Sequence, residues 1–280
     1  MRISGLAYLT GLLVLGCDSG DPPAQRPLRT LHFQATAHGK ALDCSSPPQP
    51  LGSDQQLASL ADLRFYVHDF AVIDAAGTLY PAQLQAEAGW VLGNLALIDL
   101  EDASGACSNG SAAQHRSVQL TWSGPAQVRG VQFRLGVPEN LNHADVLAAK
   151  APLNLSGLYW SWLGGYKHLR LDLATAPAAG WKLHLGATGC DQTPKGTVCS
   201  HPNQSLIRLD DFDFGAQAVT LDLAQLLAES ALGAEHGGCM ADLDDPLCAP
   251  LLHALGLPAS ATEAAGPAQS AFVSAPRLAP

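Results

Sequence analysis

Two tryptophans two residues apart, Trp160 and Trp162, stand in the segment "LYWSWLGGYKH" (158–168) of a 280-residue chain with only five tryptophans and 6% aromatic residues. On an extended strand both rings point to one face, because side chains alternate with a period of two. Filling a core explains single tryptophans well. Two in register, followed by Tyr166 and near histidine-bearing loops, also make a surface route for electrons or oxidants. Histidine is the second resource, with ten in the chain. None forms the H-x3-H pair that presents a zinc site on one helix, so a ligand set has to converge from separate strands and loops. His143 lies in the polar loop "ENLNHAD", after a strand that ends Gly136-Val137-Pro138. His184 stands between Leu183 and Leu185 in "WKLHLGA", so alternation turns it to the face opposite those leucines. His32 and His68 also lie on strands. For any one of them, a hydrogen-bonded structural role is the commoner use of a neutral imidazole.

Other chemistries find less support. No G-x-S-x-G elbow occurs, and the glycine-rich stretches lack the strand-to-helix setting of a phosphate loop. The acidic runs "DDFDF" (211–215) and "ADLDD" (241–245) lack the ligand spacing of an EF-hand and read as solvated turns rather than calcium sites. A formal net charge of -10 excludes a nucleic-acid partner that needs a concentrated basic surface.

The N-terminal stretch explains the cysteines. Arg2 precedes an apolar run from Leu6 to Leu15, too short to span a membrane and shaped like a secretory signal. Val14-Leu15-Gly16-Cys17 resembles the bacterial lipobox, in which the cysteine is lipidated and becomes the first residue. Asp18 resembles the signal that retains such proteins in the inner membrane of enteric bacteria. Residues 1–16 are therefore expected to be a lipoprotein signal peptide, and 17–30, Pro-rich and polar, a linker from the lipid anchor. Of seven cysteines, six then remain: Cys44, Cys107, Cys190, Cys199, Cys239 and Cys248. An even count in an exported chain reads as a disulfide set, for which fifteen pairings are possible. The shared C-x8-C spacing favours local bridges 190–199 and 239–248, leaving Cys44 with Cys107. No C-x2-C spacing supports zinc.

Period-2 alternation recurs at 31–37, 63–74, 117–122, 128–137, 167–175, 181–188 and 218–223, each bounded by Gly, Pro or Asn. Helical spacing is confined to "DLAQLLAESALG" (222–233), with an Asp cap and a closing Gly, and to "CAPLLHALGL" (248–257). The pattern predicts an all-β, disulfide-stabilised two-sheet β-sandwich with one or two short helices near the C-terminus. It occupies 31–257 as one domain, and the Ala/Pro/Ser-rich end, 258–280, reads as a flexible tail.

The series "DLRFYVHDF" (62–70), "LALIDLED" (95–102), "FRLGVPENLNHAD" (133–145), "APLNLSGLYWSWLGGYKHLRLDL" (151–173), "LHLGATGC" (183–190) and "GGCMADLDDPLC" (237–248) resembles the MbnP family, the four-Cys partners of metallo-mystery pair systems. The motifs are long, collinear and cover nearly all of 31–257. The resemblance implies a periplasmic copper-binding β-sandwich rather than an enzyme. It also implies a partner, a di-haem enzyme of the MauG and cytochrome c peroxidase type, which oxidises a tryptophan to kynurenine that then helps hold copper. On this chain it implies His143 and His184 as metal ligands and Trp160 and Trp162 as candidates for oxidation; should neither be the modified residue, Trp122 and Trp181 are next in line. His38, His168 and His236 fall on no family histidine. The four-Cys name corresponds best to Cys190, Cys199, Cys239 and Cys248. Two readings from other classes compete: a disulfide-stapled exported scaffold or adhesion sandwich without metal, and a secreted hydrolase using, for example, Asp69 or Asp145.

Overall fold

A computed structural model describes residue 1 and residues 26–108, 110–161, 163–175, 180–194, 196–233, 237–243 and 245–278. The signal segment beyond Met1, Cys17 and Trp162 lie outside the described residues. In β1 (Leu28–Ala37) Leu31, Phe33 and Ala35 are buried and the residues between them are half-exposed, the alternation of a strand with one face on a core. The strand starts inside the segment expected to be linker, because Leu28 to His32 pair with Thr121 to Ser117. β2 (Lys40–Ala41) and β3 (Gln49–Leu51) lead into β4 (Gln56–Ile73), the longest strand. β5 (Leu79–Leu84), β6 (Val91–Leu92), β7 (Leu95–Asp99), β8 (Ser117–Trp122) and β9 (Gly130–Leu135) follow. One turn of helix, α1 (Glu139–Asn142), precedes β10 (Tyr159–Ser161) and β11 (Gly165–Thr175). Then come β12 (Trp181–Gly186), the hairpin β13 (Thr188–Thr193) with β14 (Gly196–His201), β15 (Ser205–Leu209) and β16 (Gln217–Asp222). α2 (Leu223–Leu226), β17 (Gly238–Cys239), α3 (Ala249–Ala254) and β18 (Phe272–Pro276) complete the described elements.

β4 organises the layers by changing partners along its length. Ala58 to Phe65 pair with β11, Arg64 to His68 with β7, and Val67 to Ile73 with β9. A register shift between His68 and Ala71, with Asp69 at φ +53°, marks the bend; such bulges sharpen a sheet's twist. The main path β17-β12-β11-β4-β5-β8-β1-β16-β18 therefore curls over itself and encloses a sandwich-like core. Inside it Phe33, Phe65, Phe133 and Phe272 meet edge to face, with centroids 5.7 to 6.4 Å apart. Among the described residues the fold is mostly β, as the alternation predicts, with three short helices. α2 and α3 answer the one or two expected near the C-terminus, and α1 lies mid-chain where none was expected.

Alternation gives β4 a second buried face. Phe65 and Val67 point into the main core, while Tyr66 joins Leu95, Leu97, Val137, Leu158 and Tyr166 in a smaller cluster. The chain between β9 and β11 covers that cluster, with the Tyr66 and Tyr166 hydroxyls donating to Pro152 O and Leu153 O at 3.0 and 2.7 Å. Three disulfides staple the sandwich: Cys44–Cys107, Cys190–Cys199 and Cys239–Cys248.

Two expectations need correction. The helix read over 222–233 is one turn: Asp222 caps it by accepting from Ala224 N and Gln225 N. Asp54 then accepts from Leu232 N and Gly233 N at 3.1 and 2.8 Å and draws the rest into a turn. The end of the chain is not a loose tail. β18 pairs antiparallel with β16 over five residues, and Phe272 is 1% exposed. One buried aromatic outweighs the Ala/Pro/Ser composition around it.

Candidate metal centre

Pro138 O accepts from Leu141 N and Asn142 N at 2.8 and 3.0 Å, and this single turn buries Asn142. Asn142 Oδ1 accepts from Tyr166 N at 3.0 Å. A Cβ on Gly165, at φ +69°, would lie 2.5 Å from Asn142 O, so only glycine admits this approach. The "LNHAD" loop is thereby clamped onto the turn that follows the tryptophan pair. Because Oδ1 is committed to Tyr166, the Asn142 amide nitrogen faces His143 Nε2, 3.2 Å away. An amide nitrogen only donates, so Nε2 of His143 carries the lone pair.

His143 is half-buried, and Cys199 Sγ lies 3.3 Å from its Nε2. Cys190 and Cys199 face each other directly across the β13–β14 hairpin, and with His143 their ligand atoms lie within 4.8 Å of one another. Thiolate sites need free, deprotonated sulfur. These two sulfurs are bonded to each other, which leaves the imidazole as the strong donor of the three.

Trp160 sits on β10, paired by its neighbours to β11. Its ring lies over Gly186 at the end of the "LHLG" strand, where a Cβ would come within 2.5 Å of Cζ3. The glycine is the seat of the ring. Trp160 is half-buried against the main core, so part of the indole remains open to an oxidant. Trp122 and Trp181 are 1% and 3% exposed. The described part of β10 ends at Ser161.

His184 takes different partners from His143. It stands opposite Arg170 in the register, and its Nε2 lies 2.7 Å from Asp172 Oδ1. Arg170 bridges Asp172 and Asp62 at 2.6 and 3.1 Å, and Asp62 also holds Arg64. Burial alone raises the Asp172 carboxyl, but hydrogen bonds from His184 and Arg170 outweigh it and hold the group at about 2. A carboxylate only accepts, so Nε2 of His184 carries a proton and Nδ1 is its remaining donor atom for a metal.

Two further histidines gather near His143. His168, set aside at the sequence level, is 0% exposed, and its Nδ1 lies 3.2 Å from Asn203 O. Burial, helped by the charges of His68 and His143 and opposed by the Asn203 carbonyl, brings its pKa down to about 4. Asn203 also donates from its side chain to Gly186 O at 2.9 Å, tying His168 to the seat of Trp160. His68 on β4 is 2% exposed. Strand periodicity placed His68 on a strand, but its burial comes from the chain that folds over β4, which no local pattern announces.

Comparison with known proteins follows this geometry. A family model described as MbnP matches residues 25–241. Among solved structures, MbnP from Methylosinus trichosporium superposes with a TM-score of 0.79 at 28% identity, covering 91% of this chain and 100% of that one. No curated protein matches significantly.

Proposed function

The chain belongs to the MbnP family, and on that premise we propose that it is a copper-binding lipoprotein matured by a partner enzyme. The partner is a di-haem enzyme of the MauG and cytochrome c peroxidase type, which oxidises Trp160 or Trp162 to kynurenine. The protein faces the periplasm and is itself the substrate of that reaction rather than an enzyme. One observation carries the reading: the Asn142–Tyr166 clamp sets His143 against the turn that follows the tryptophans, while Gly186 of the "LHLG" strand seats Trp160. Three motifs far apart in sequence thus meet at one place.

The donor chemistry fits copper. The haem enzyme cleaves the indole C2–C3 bond, with two peroxide equivalents supplying the two oxygen atoms and releasing water. Hydrolytic loss of C2 as formate then leaves an aromatic amine and a ketone. Imidazole with such nitrogen suits copper better than the hard cations, which take several oxygens. His143 would offer Nε2 in exchange for its contact with the Asn142 amide, and His184 would offer Nδ1. Bound copper would supply a soft, redox-capable cation.

The test is intact mass and copper content of protein made with and without the partner enzyme. Co-expression should add the mass change of indole to kynurenine on one tryptophan and raise bound copper. Trp160→Phe and Trp162→Phe, made singly, identify the residue: one variant should lose both the mass shift and the copper. His143→Ala and His184→Ala should lose copper while keeping the mass shift. If the shift persists in both Phe variants, or copper loading ignores the shift, the proposal fails.

A further inference from the structure

β1 changes neighbours along one edge, and a cavity of about 300 Å³ opens beside the change. β8 pairs with β1 as far as Ser117, opposite His32, and β2 takes over at Ala41, opposite Thr36. Phe33 N donates to Arg116 O, and Ala35 O accepts from Leu42 N. Residues two apart on a strand turn their backbone groups to the same edge, so β8 and β2 share that edge and part beside Gln34.

The cavity is apolar on one side and cationic on the other. Leu42 and Leu100 are each 3% exposed and with Ala35 give it an apolar floor. Arg116 and Arg277 line it and are exposed. Among the described residues the Arg116 guanidinium has no hydrogen bond or ion pair. Arg277 donates from Nη2 to Gly215 O at 3.1 Å and has no carboxylate partner. In a chain with 25 acidic and 15 basic residues, two guanidiniums left without an acid stand out. The one acid of the lining, Asp43, is taken by its own turn: Oδ1 accepts from Ser45 N, Ser45 Oγ and Ser46 Oγ at 3.1, 2.9 and 2.8 Å. Burial, then the charge of Arg277, lowers the pKa of His32. The imidazole is therefore neutral at pH 7, and the Arg277 charge is felt inside the cavity.

We infer that this cavity binds a small organic carboxylate, held by Arg116 and Arg277 with its short apolar body against Leu42 and Leu100. A guanidinium presents a planar fork that matches a carboxylate with two parallel hydrogen bonds. Inorganic phosphate would meet the arginines but leave the apolar floor in water. Ligand sites run from about 300 to 1,000 Å³, so the volume sets this ligand at the small end. The site shares no residue with the candidate metal centre and needs neither copper nor kynurenine.

The test uses the full chain carrying Cys17→Ala, with hexanoate as the probe and hexanol and inorganic phosphate as comparisons. Hexanoate should bind at one saturable site, moving the His32 imidazole and the Leu42 and Leu100 methyl resonances together. Hexanol has the tail without the charge and phosphate the charge without the tail. Each should bind at least about tenfold more weakly. Arg116→Gln and Arg277→Gln should each weaken hexanoate by about tenfold or more, since each removes hydrogen bonds to a charged group. Melting temperatures confirm that these exposed substitutions leave the fold intact. The inference is overturned by absent hexanoate binding, or by hexanol or phosphate binding as tightly as hexanoate. Binding that survives both substitutions, or leaves the His32 and Leu42 resonances unmoved, overturns it too. Kynurenine-dependent copper loading is read separately on co-expressed protein, so either result can fail alone.

Discussion

Asp99, at the end of β7, is 2% exposed, and its Oδ1 accepts from Glu101 N at 3.1 Å. Burial pushes its carboxyl up to about 7, the charge of Glu101 adds to the rise, and Arg64 opposes it. The Arg64 guanidinium is itself committed to Asp62 at 2.9 Å, so little of its charge is left for Asp99. The sign of the linkage follows. Between about pH 4 and pH 7 the unfolded chain releases this proton while the folded chain keeps it, so the stability contribution is full below pH 4 and falls as pH rises through 7. His68 and His168, whose pKa values burial lowers, tilt the other way as pH falls below about 6.5. The readout is therefore the difference between two proteins rather than one curve. Asp99→Asn keeps an acceptor for Glu101 N and removes the titration. Its melting temperature relative to the parent should rise steadily from pH 4 to pH 7 and level off above. Parallel curves would show that Asp99 is already ionised in the fold.

β18 shows how an element can be absent from pattern yet central to packing. Phe272 meets Phe65 at 5.8 Å and Phe133 at 6.4 Å between ring centroids. Gln269 brackets it, accepting from its N and donating to its O, both at 2.9 Å. Phe272→Ala should cost about 3–5 kcal/mol, the range for a buried aromatic whose site does not collapse. Denaturant melts check this, and a loss under 1 kcal/mol would mean that β18 is dispensable. The contrast with the strands that were legible is physical. β1 and β8 alternate in burial because one face meets the core, and that alternation is written in the sequence. β4, β11 and β12 carry a period-2 pattern in sequence but are covered on both faces over much of their length. β7 reads "LALID" with all five residues buried, so alternation disappears and length alone hints at a strand. The β13–β14 hairpin has little apolar content, and Cys190 facing Cys199 is its visible signal. At the candidate site, motif and loop chemistry point to His143 and Trp160. The partnership of His184 with Asp172 and the burial of His168 depend on neighbouring strands and covering loops.

At the scale of the whole molecule, the question is how the domain is held in place. No helix among the described residues is long and apolar enough to cross a membrane, and the apolar run Leu6 to Leu15 is too short for it. On the proposed reading, attachment rests on Cys17 and a lipid. The family match begins at residue 25 and β1 at Leu28, so about ten residues of sequence separate Cys17 from the sheet. Extended, that is at most about 35 Å, enough for the proposed anchor to stand a domain clear of the headgroups and leave the Trp160 surface open to the proposed haem partner. Acyl chains bury roughly 0.8 kcal/mol per methylene, so their loss removes the anchor while leaving the fold untouched. Cys17→Ala should move the protein from the membrane pellet to the soluble fraction, with the same melting temperature and the same three disulfides. In that soluble form the partner enzyme would meet its substrate by free diffusion, and the kynurenine mass shift should need more enzyme or more time to reach completion. An Ala variant that still pellets with washed membranes would show that something other than lipid on Cys17 holds the chain there.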